Sequence, residues 1–274
     1  MGRLVRHVVE VVDVTDLTPW YRRVTFAGRG LLARLDLAPA APLVIHCPGP
    51  VGPVERSYTL ALPDVAADRF ALDFVLHDPS GPASAWAQRA RPGVLVEVTD
   101  PPYHLVRPEP LWGSAGRHDV AREEPRGGRS PAPDCCAPMS ETNTAGSDRI
   151  SSRPTPFGQN SVLPHAPKAV LIGDTSAAAA LESLRRGLPV GVASTVVLVD
   201  PHPDLERVPP SGEVVRLPRL TDNDLAAIDL DPEVDWLWAA GERNLVKRLR
   251  AHARDHWRLP RSRQHLQTYW IARS

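Results

Sequence analysis

Arg56-Ser57-Tyr58-Thr59-Leu60, then Asp73-Phe74-Val75-Leu76-His77, then Gly81-Pro82-Ala83-Ser84-Ala85-Trp86-Ala87, form the stretch on which the fold turns. The first run alternates as a strand does, turning Arg56, Tyr58 and Leu60 to one face and Ser57 and Thr59 to the other. The second is an apolar strand that ends on His77. The third opens with glycine and proline, which start a helix, and the free N–H groups and dipole of such a start suit a phosphate.

Outward from these runs, residues 4–103 read as short strands: Val5 to Val14, Arg22 to Ala27, Pro42 to Cys47, Glu55 to Ala61, Ala71 to His77 and Val94 to Thr99. Gly28-Arg29-Gly30, Pro48-Gly49-Pro50 and Pro92-Gly93 punctuate them, and this spacing predicts a small antiparallel barrel with one helix, Ala83 to Ala90. The rhythm changes after residue 168. Ala169 to Ile172 is a continuous apolar run, Ser176 to Arg186 has helical period, and Thr195 to Asp200 is a second buried strand, which makes a β-α-β unit. A strand at Glu213 to Leu217, a helix from Asp222 to Ala227, a strand at Val234 to Ala239, a helix from Asn244 to Trp257 and an edge strand at Thr268 to Ile271 extend it into an open parallel sheet. The strand ends at Gly173-Asp174-Thr175 and Ala240-Gly241-Glu242 fall at one crevice, where ligands of such sheets bind.

Arg56 for a phosphate, Tyr58 for stacking and a small hydroxyl beside the reactive ring are what a flavin dinucleotide requires. The same residues carry a family resemblance. R-x-Y-T followed by D-F-V-L-H and G-P-A-S-x-W-A resembles the siderophore-interacting, FAD-binding proteins, a branch of the ferredoxin-reductase-like flavoproteins. Leu17-Thr18-Pro19, Arg23 to Gly28, Gly173-Asp174-Thr175 and Trp238 to Glu242 add to the likeness. The resemblance implies a two-domain β plus α/β fold: an antiparallel FAD-binding β-barrel at residues 1–103 and an open parallel-sheet NAD(P)H-binding-like domain at 168–274.

It further implies that Arg56, Tyr58, Thr59, His77, Gly81, Pro82, Ala83 and Ser84 hold FAD, with Tyr58 and Thr59 at the catalytic centre. Asp174 and Thr175 approach the flavin or nicotinamide side, and Gly241 and Glu242 border a pocket for NADPH or NADH. Each residue also has a plainer reading: Tyr58 as a core aromatic, His77 as a strand-end histidine, Asp174-Thr175 as a helix cap. The implied activity is electron transfer from NAD(P)H, or from a small electron carrier, through FAD to a ferric siderophore or related metabolite. The alternatives are a secondary-metabolism tailoring enzyme of the same fold and a non-catalytic flavin- or chelate-binding protein.

The chain departs from the family pattern at four places. Ala61 stands where a second arginine usually follows R-x-Y-T, and Asp100-Pro101 replaces glycine-proline. Gly173 to Ala177 lacks the glutamate of G-D-E-T-A, and Ile271 follows Tyr269-Trp270 where a basic residue is usual. Ala61 and Ile271 are thus read as two cations missing from a cleft facing an anionic chelate, with Arg273, His104 and Arg107 as candidate replacements.

Residues 104–167 fit neither half. Ten prolines in 64 residues, with little apolar periodicity, give this segment too little to bury to offset its ordering entropy, and it is expected to be a disordered insertion. Limited proteolysis should therefore cut first near Arg126-Gly127-Gly128-Arg129, and protection of that stretch would contradict the expectation.

Lysine plus arginine balance aspartate plus glutamate at 32 each, so nothing favours nucleic acid or an anionic membrane. The first residues lack a signal-peptide core and no run is long enough to span a membrane, so a cytoplasmic monomer is expected. Three cysteines, with Cys135 and Cys136 adjacent, exclude a disulfide framework, and no metal site is expected.

Overall fold

The computed structural model describes residues 5–35, 37–100, 167–228 and 234–272. The 104–167 segment, apart from Pro167, and with it Cys135, Cys136, His104 and Arg107, lies outside them, as does Arg273.

The N-terminal half holds seven strands: β1 (Arg6–Thr18), β2 (Tyr21–Ala27), β3 (Pro42–Pro48), β4 (Pro53–Thr59), β5 (Ala61–Asp64), β6 (Arg69–Val75) and β7 (Leu95–Thr99). They form one antiparallel sheet in the order β4-β3-β7-β1-β2-β6-β5. Its two edge strands are consecutive in the chain. The sheet therefore curls, and one core, with Val9, Val24, Phe26, Leu43, Ile45, Leu72 and Phe74 buried, fills its concave side. The single run expected at Glu55 to Ala61 divides at Leu60: its N–H still bonds the Ala41 carbonyl at 2.9 Å beyond the end of β3, and from Ala61 the chain pairs with β6 instead. Helix α1 (Pro82–Arg89) packs over β3, β4 and β6. Trp86 lies 5.5 Å from Phe74, and Tyr58 of β4 lies 4.5 Å from the same ring, so aromatic contact joins the two ends of the sheet.

The C-terminal half is a parallel sheet in the order β10-β9-β8-β11-β12, from β8 (Lys168–Gly173), β9 (Ala193–Val199), β10 (Val215–Leu217), β11 (Trp236–Glu242) and β12 (Gln264–Trp270). The edge strand expected from Thr268 starts earlier, at Gln264, because Gln264, His265 and Gln267 are only half-buried and hide its alternation. Alternate residues point to opposite faces. Ala169, Leu171, Trp236 and Trp238 meet α2 (Ala178–Gly187), while Val170, Ile172, Leu237 and Ala239 meet α3 (Asp222–Ile228) and α4 (Arg243–Asp255).

The two halves share a packed seam. Tyr21 and Ala40 are buried in the same cluster as Ala177, Ala178 and Leu181. The Ala40 N–H donates to Ser183 Oγ at 2.9 Å. Gly187 lies so close to Pro39 that a Cβ on it would meet Pro39 Cβ at 3.0 Å. Beneath the seam Arg23 forms a two-pronged ion pair with Asp73 at 2.7 and 2.8 Å, and the Asp73 side chain is 1 % exposed. Among the described residues no helix is long and apolar enough to cross a membrane.

Candidate functional site

On β4, Arg56 and Tyr58 pair with Ile45 and Leu43, both fully buried, so they share the core-facing side. Tyr58 is half-buried, and burial pushes its phenol well above the usual range. Arg56 is exposed, with its guanidinium donating to the Glu55 carbonyl at 2.8 Å. Thr59 opposes Pro42 on the other face.

The His77 to Ser84 run turns from the end of β6 into α1. His77 Nδ1 lies 2.8 Å from the Pro79 carbonyl, an acceptor, so Nδ1 carries the proton that makes this bond. Ser84 accepts the His77 N–H at 3.3 Å and is buried, so its hydroxyl serves the turn. The first intrahelical bond runs from the Ala85 N–H to the Gly81 carbonyl, and Gly81 makes no side-chain cap. The N–H groups of Ala83 and Ser84 therefore precede the helix ladder, and Pro82 has none to satisfy. Beside Gly81 the nearest atoms to an added Cβ are those of the His77 ring, at 3.6 Å.

On the sheet side Asp174 ends β8 and caps the short 3₁₀ turn that leads into α2. Its Oδ1 accepts the Ser176 N–H at 2.9 Å, and its Oδ2 accepts the Glu242 N–H at 2.7 Å and the Trp270 indole N–H at 2.8 Å. Burial raises its pKa against these bonds, which hold it down. One carboxylate thus ties the ends of β8, β11 and β12 together. Gly241 has φ +139°, and a Cβ there would meet Asp174 Cγ at 2.6 Å. Glu242 caps α4, with Oε2 accepting the Leu245 N–H at 3.2 Å.

Thr175 is buried, and its hydroxyl donates to Asp200 Oδ2. Asp200 Oδ1 in turn accepts the His202 N–H at 2.9 Å and lies 2.5 Å from His202 Nδ1. The His202 ring meets Trp20 of the barrel at 4.5 Å, tilted by 31°, and the Trp20 carbonyl accepts the Leu76 N–H at 2.7 Å. A continuous path thus runs from the residue before His77 to Thr175. Trp20, Asp200 and His202 were not picked out from the sequence; the signal available was an acid at the end of an apolar strand.

The reading of Ala61 as a missing cation facing a charged ligand needs correction. Ala61 is 5 % exposed and packs against Ala71 and Ala179, so an arginine there would have to displace α2. Ile271 and Asp100 are exposed. Beside Ala61, between β5 and α2, lies a groove of about 340 Å³. His252 on α4 and His256, the residue that follows the helix, stack at 4.5 Å, a histidine pair that the expectation of no metal site passed over. Among the described residues no group of three potential ligands could hold a metal.

Two family models match: the siderophore-interacting FAD-binding domain over residues 36–105 and the siderophore-interacting protein over residues 166–273. The chain is 29 % identical over 276 residues to the mycobactin import ATP-binding/permease protein IrtA of Mycobacterium tuberculosis, covering 97 % of this chain and 26 % of that protein. It spans about a quarter of the length of the curated relatives it matches. In fold it is similar to the siderophore interacting protein from Acinetobacter baumannii (TM-score 0.65, 17 % identity, 97 % of this chain and 91 % of that one). It is also similar to a ferredoxin NADP+ reductase from Neisseria gonorrhoeae with bound FAD and NADP (TM-score 0.57, 12 % identity, 97 % and 99 %).

Proposed function

The chain belongs to the siderophore-interacting FAD-binding family, and on that premise we propose that it is a FAD-dependent oxidoreductase that delivers electrons to a ferric siderophore or related chelate. NAD(P)H or a small electron carrier is the proposed donor. The observation that carries the reading is the pairing of an exposed, core-facing Arg56 with the open N-terminus of α1, two phosphate-seeking features on neighbouring elements of the barrel.

The residues present fit the cofactor. Arg56 and the N–H groups of Ala83 and Ser84 would hold its diphosphate, Tyr58 would flank its ring system, and Thr59 would stand near the reactive edge. Bound FAD would supply the exchange between a two-electron donor and a one-electron acceptor. Release of the metal follows from coordination chemistry, because hard anionic oxygens that grip Fe(III) bind Fe(II) far less tightly. On the sheet side Asp174, Gly241 and Glu242 act by fixing the strand ends where a nicotinamide donor would dock.

A second reading, a tailoring enzyme acting on an uncharged metabolite, is favoured by Ile271, an exposed apolar residue where the family pattern has a base. Both readings require FAD. Purified protein should be yellow and release FAD rather than FMN on denaturation, and a colourless protein that takes up no FAD in titration would overturn both. Stopped-flow oxidation of dithionite-reduced protein by ferric chelates separates them: rapid oxidation supports the reductase, and none supports the tailoring enzyme.

A further inference from the structure

Residues 243–263, which make up α4 and the turn after it, hold eight lysine and arginine residues and one acid, Asp255, in a chain whose charges balance overall. Three of these bases have carboxylate partners: Arg248 with Asp222, Arg254 with Asp255 and Arg263 with Asp235. Among the described residues no carboxylate pairs with Arg243, Lys247, Arg250, Arg258 or Arg261. Arg243, Lys247, Arg250 and Arg254 recur every three or four residues, so they lie along one face of the helix, and all four are exposed. The apolar face, with Val246, Leu249 and Ala253, is buried where α4 packs on β11 and β12.

This arrangement weakens the helix that carries it. Arg243 and Lys247, like Arg250 and Arg254, are equal charges four residues apart, and Arg243 stands in the first turn, where the helix dipole is already positive. Such a face is explained when opposite charge meets it from outside. The stripe also starts at the strand-end crevice, because Glu242, which caps α4, gives its own N–H to Asp174. Among the described residues of 243–263 no large apolar side chain is exposed. A membrane-binding helix puts its apolar face into lipid, but that face of α4 is taken by the sheet. A charged stripe about 17 Å long without an apolar anchor suits a small, short-lived contact, the class to which electron-transfer encounters belong.

We propose that the outer face of α4 is the docking surface for a small acidic electron-carrier protein. The proposal rests on the flavin-oxidoreductase reading above and chooses the carrier from its two donors. Because the whole chain has no net charge, the excess of acid lies outside 243–263, and an acidic partner is steered toward α4 and away from other faces. Each productive encounter passes one electron to the bound flavin. The carrier leaves oxidised by one electron, and no bond is made or broken.

The test uses the FAD-loaded protein and, as probe, an acidic plant-type two-iron ferredoxin. Calorimetric titration with the oxidised probe reads docking, and stopped-flow mixing with the reduced probe reads electron transfer. Binding should weaken about tenfold or more when added salt cuts the Debye length from about 30 Å to about 8 Å. Lys247→Glu combined with Arg250→Glu should weaken binding and slow flavin reduction about tenfold or more at low salt. FAD content and reduction by dithionite should hold in that variant, and Tm should hold or rise, since the reversal removes like-charge pairs. Salt-independent binding, or binding unchanged in the double variant, overturns the docking surface, and docking without electron transfer overturns the carrier as its occupant. Binding to phosphatidylserine vesicles that the double variant loses, with ferredoxin unaffected, would make the stripe a membrane face instead. If ferredoxin docks through the stripe and reduces the flavin but ferric chelates do not reoxidise it, the docking surface stands and the siderophore-reductase reading falls.

Discussion

Replacing Gly241 with alanine is expected to destabilise the protein by about 4 kcal/mol, from backbone strain and overpacking of about 1–3 kcal/mol each. The backbone there has φ +139°, and the new Cβ would approach Asp174 Oδ1 to 2.9 Å and Cγ to 2.6 Å. Asp174 has little room to yield, because the Ser176 and Glu242 N–H groups and the Trp270 indole all hold it. Moving it would leave a buried carboxylate without its donors. Thermal melting followed by circular dichroism should fall by about 10 °C, and a variant within about 2 °C of the parent would show that the strand ends are looser than described.

Arg56→Ala should weaken FAD binding by about 10- to 150-fold, corresponding to the roughly 1.5–3 kcal/mol of a hydrogen bond to a charged group. The fold should be untouched, since Arg56 is exposed and its guanidinium reaches the carbonyl of its own neighbour. Arg56→Lys should fall between, retaining the charge but losing the planar fork. Titration of FAD into the stripped protein measures the change. A loss below twofold in the alanine variant would remove the guanidinium from the phosphate site.

The architecture was legible because its signals are local. Alternation along Arg56 to Leu60, the Gly81-Pro82 helix start and the unbroken apolar runs of β8 and β9 each follow from a few adjacent residues. What escaped depends on contacts between distant ones. The break at Leu60 is set by the change of partner from β3 to β6, and the burial of Ala61 is set by Ala179 on the other half of the molecule. Likewise the partners of Asp174 come from β11 and β12, and Trp20 meets His202 only once the halves pack. A departure from a family pattern marks where something changed, while the surrounding packing determines what changed.

The seam bears on how this chain can be taken apart. Tyr21 and Ala40 lie in the barrel half by chain order, yet they are buried in the cluster that includes α2, β8 and β11. A fragment cut between the halves would present that apolar face to water, with the Ser183 hydroxyl and the Trp20 ring stripped of their partners. Exposed patches of this kind drive association. Swapping or expressing the halves as separate modules therefore calls for carrying the β1–β2 corner and the Pro39–Ala40 turn along with the parallel sheet, or for replacing their apolar contacts with polar residues.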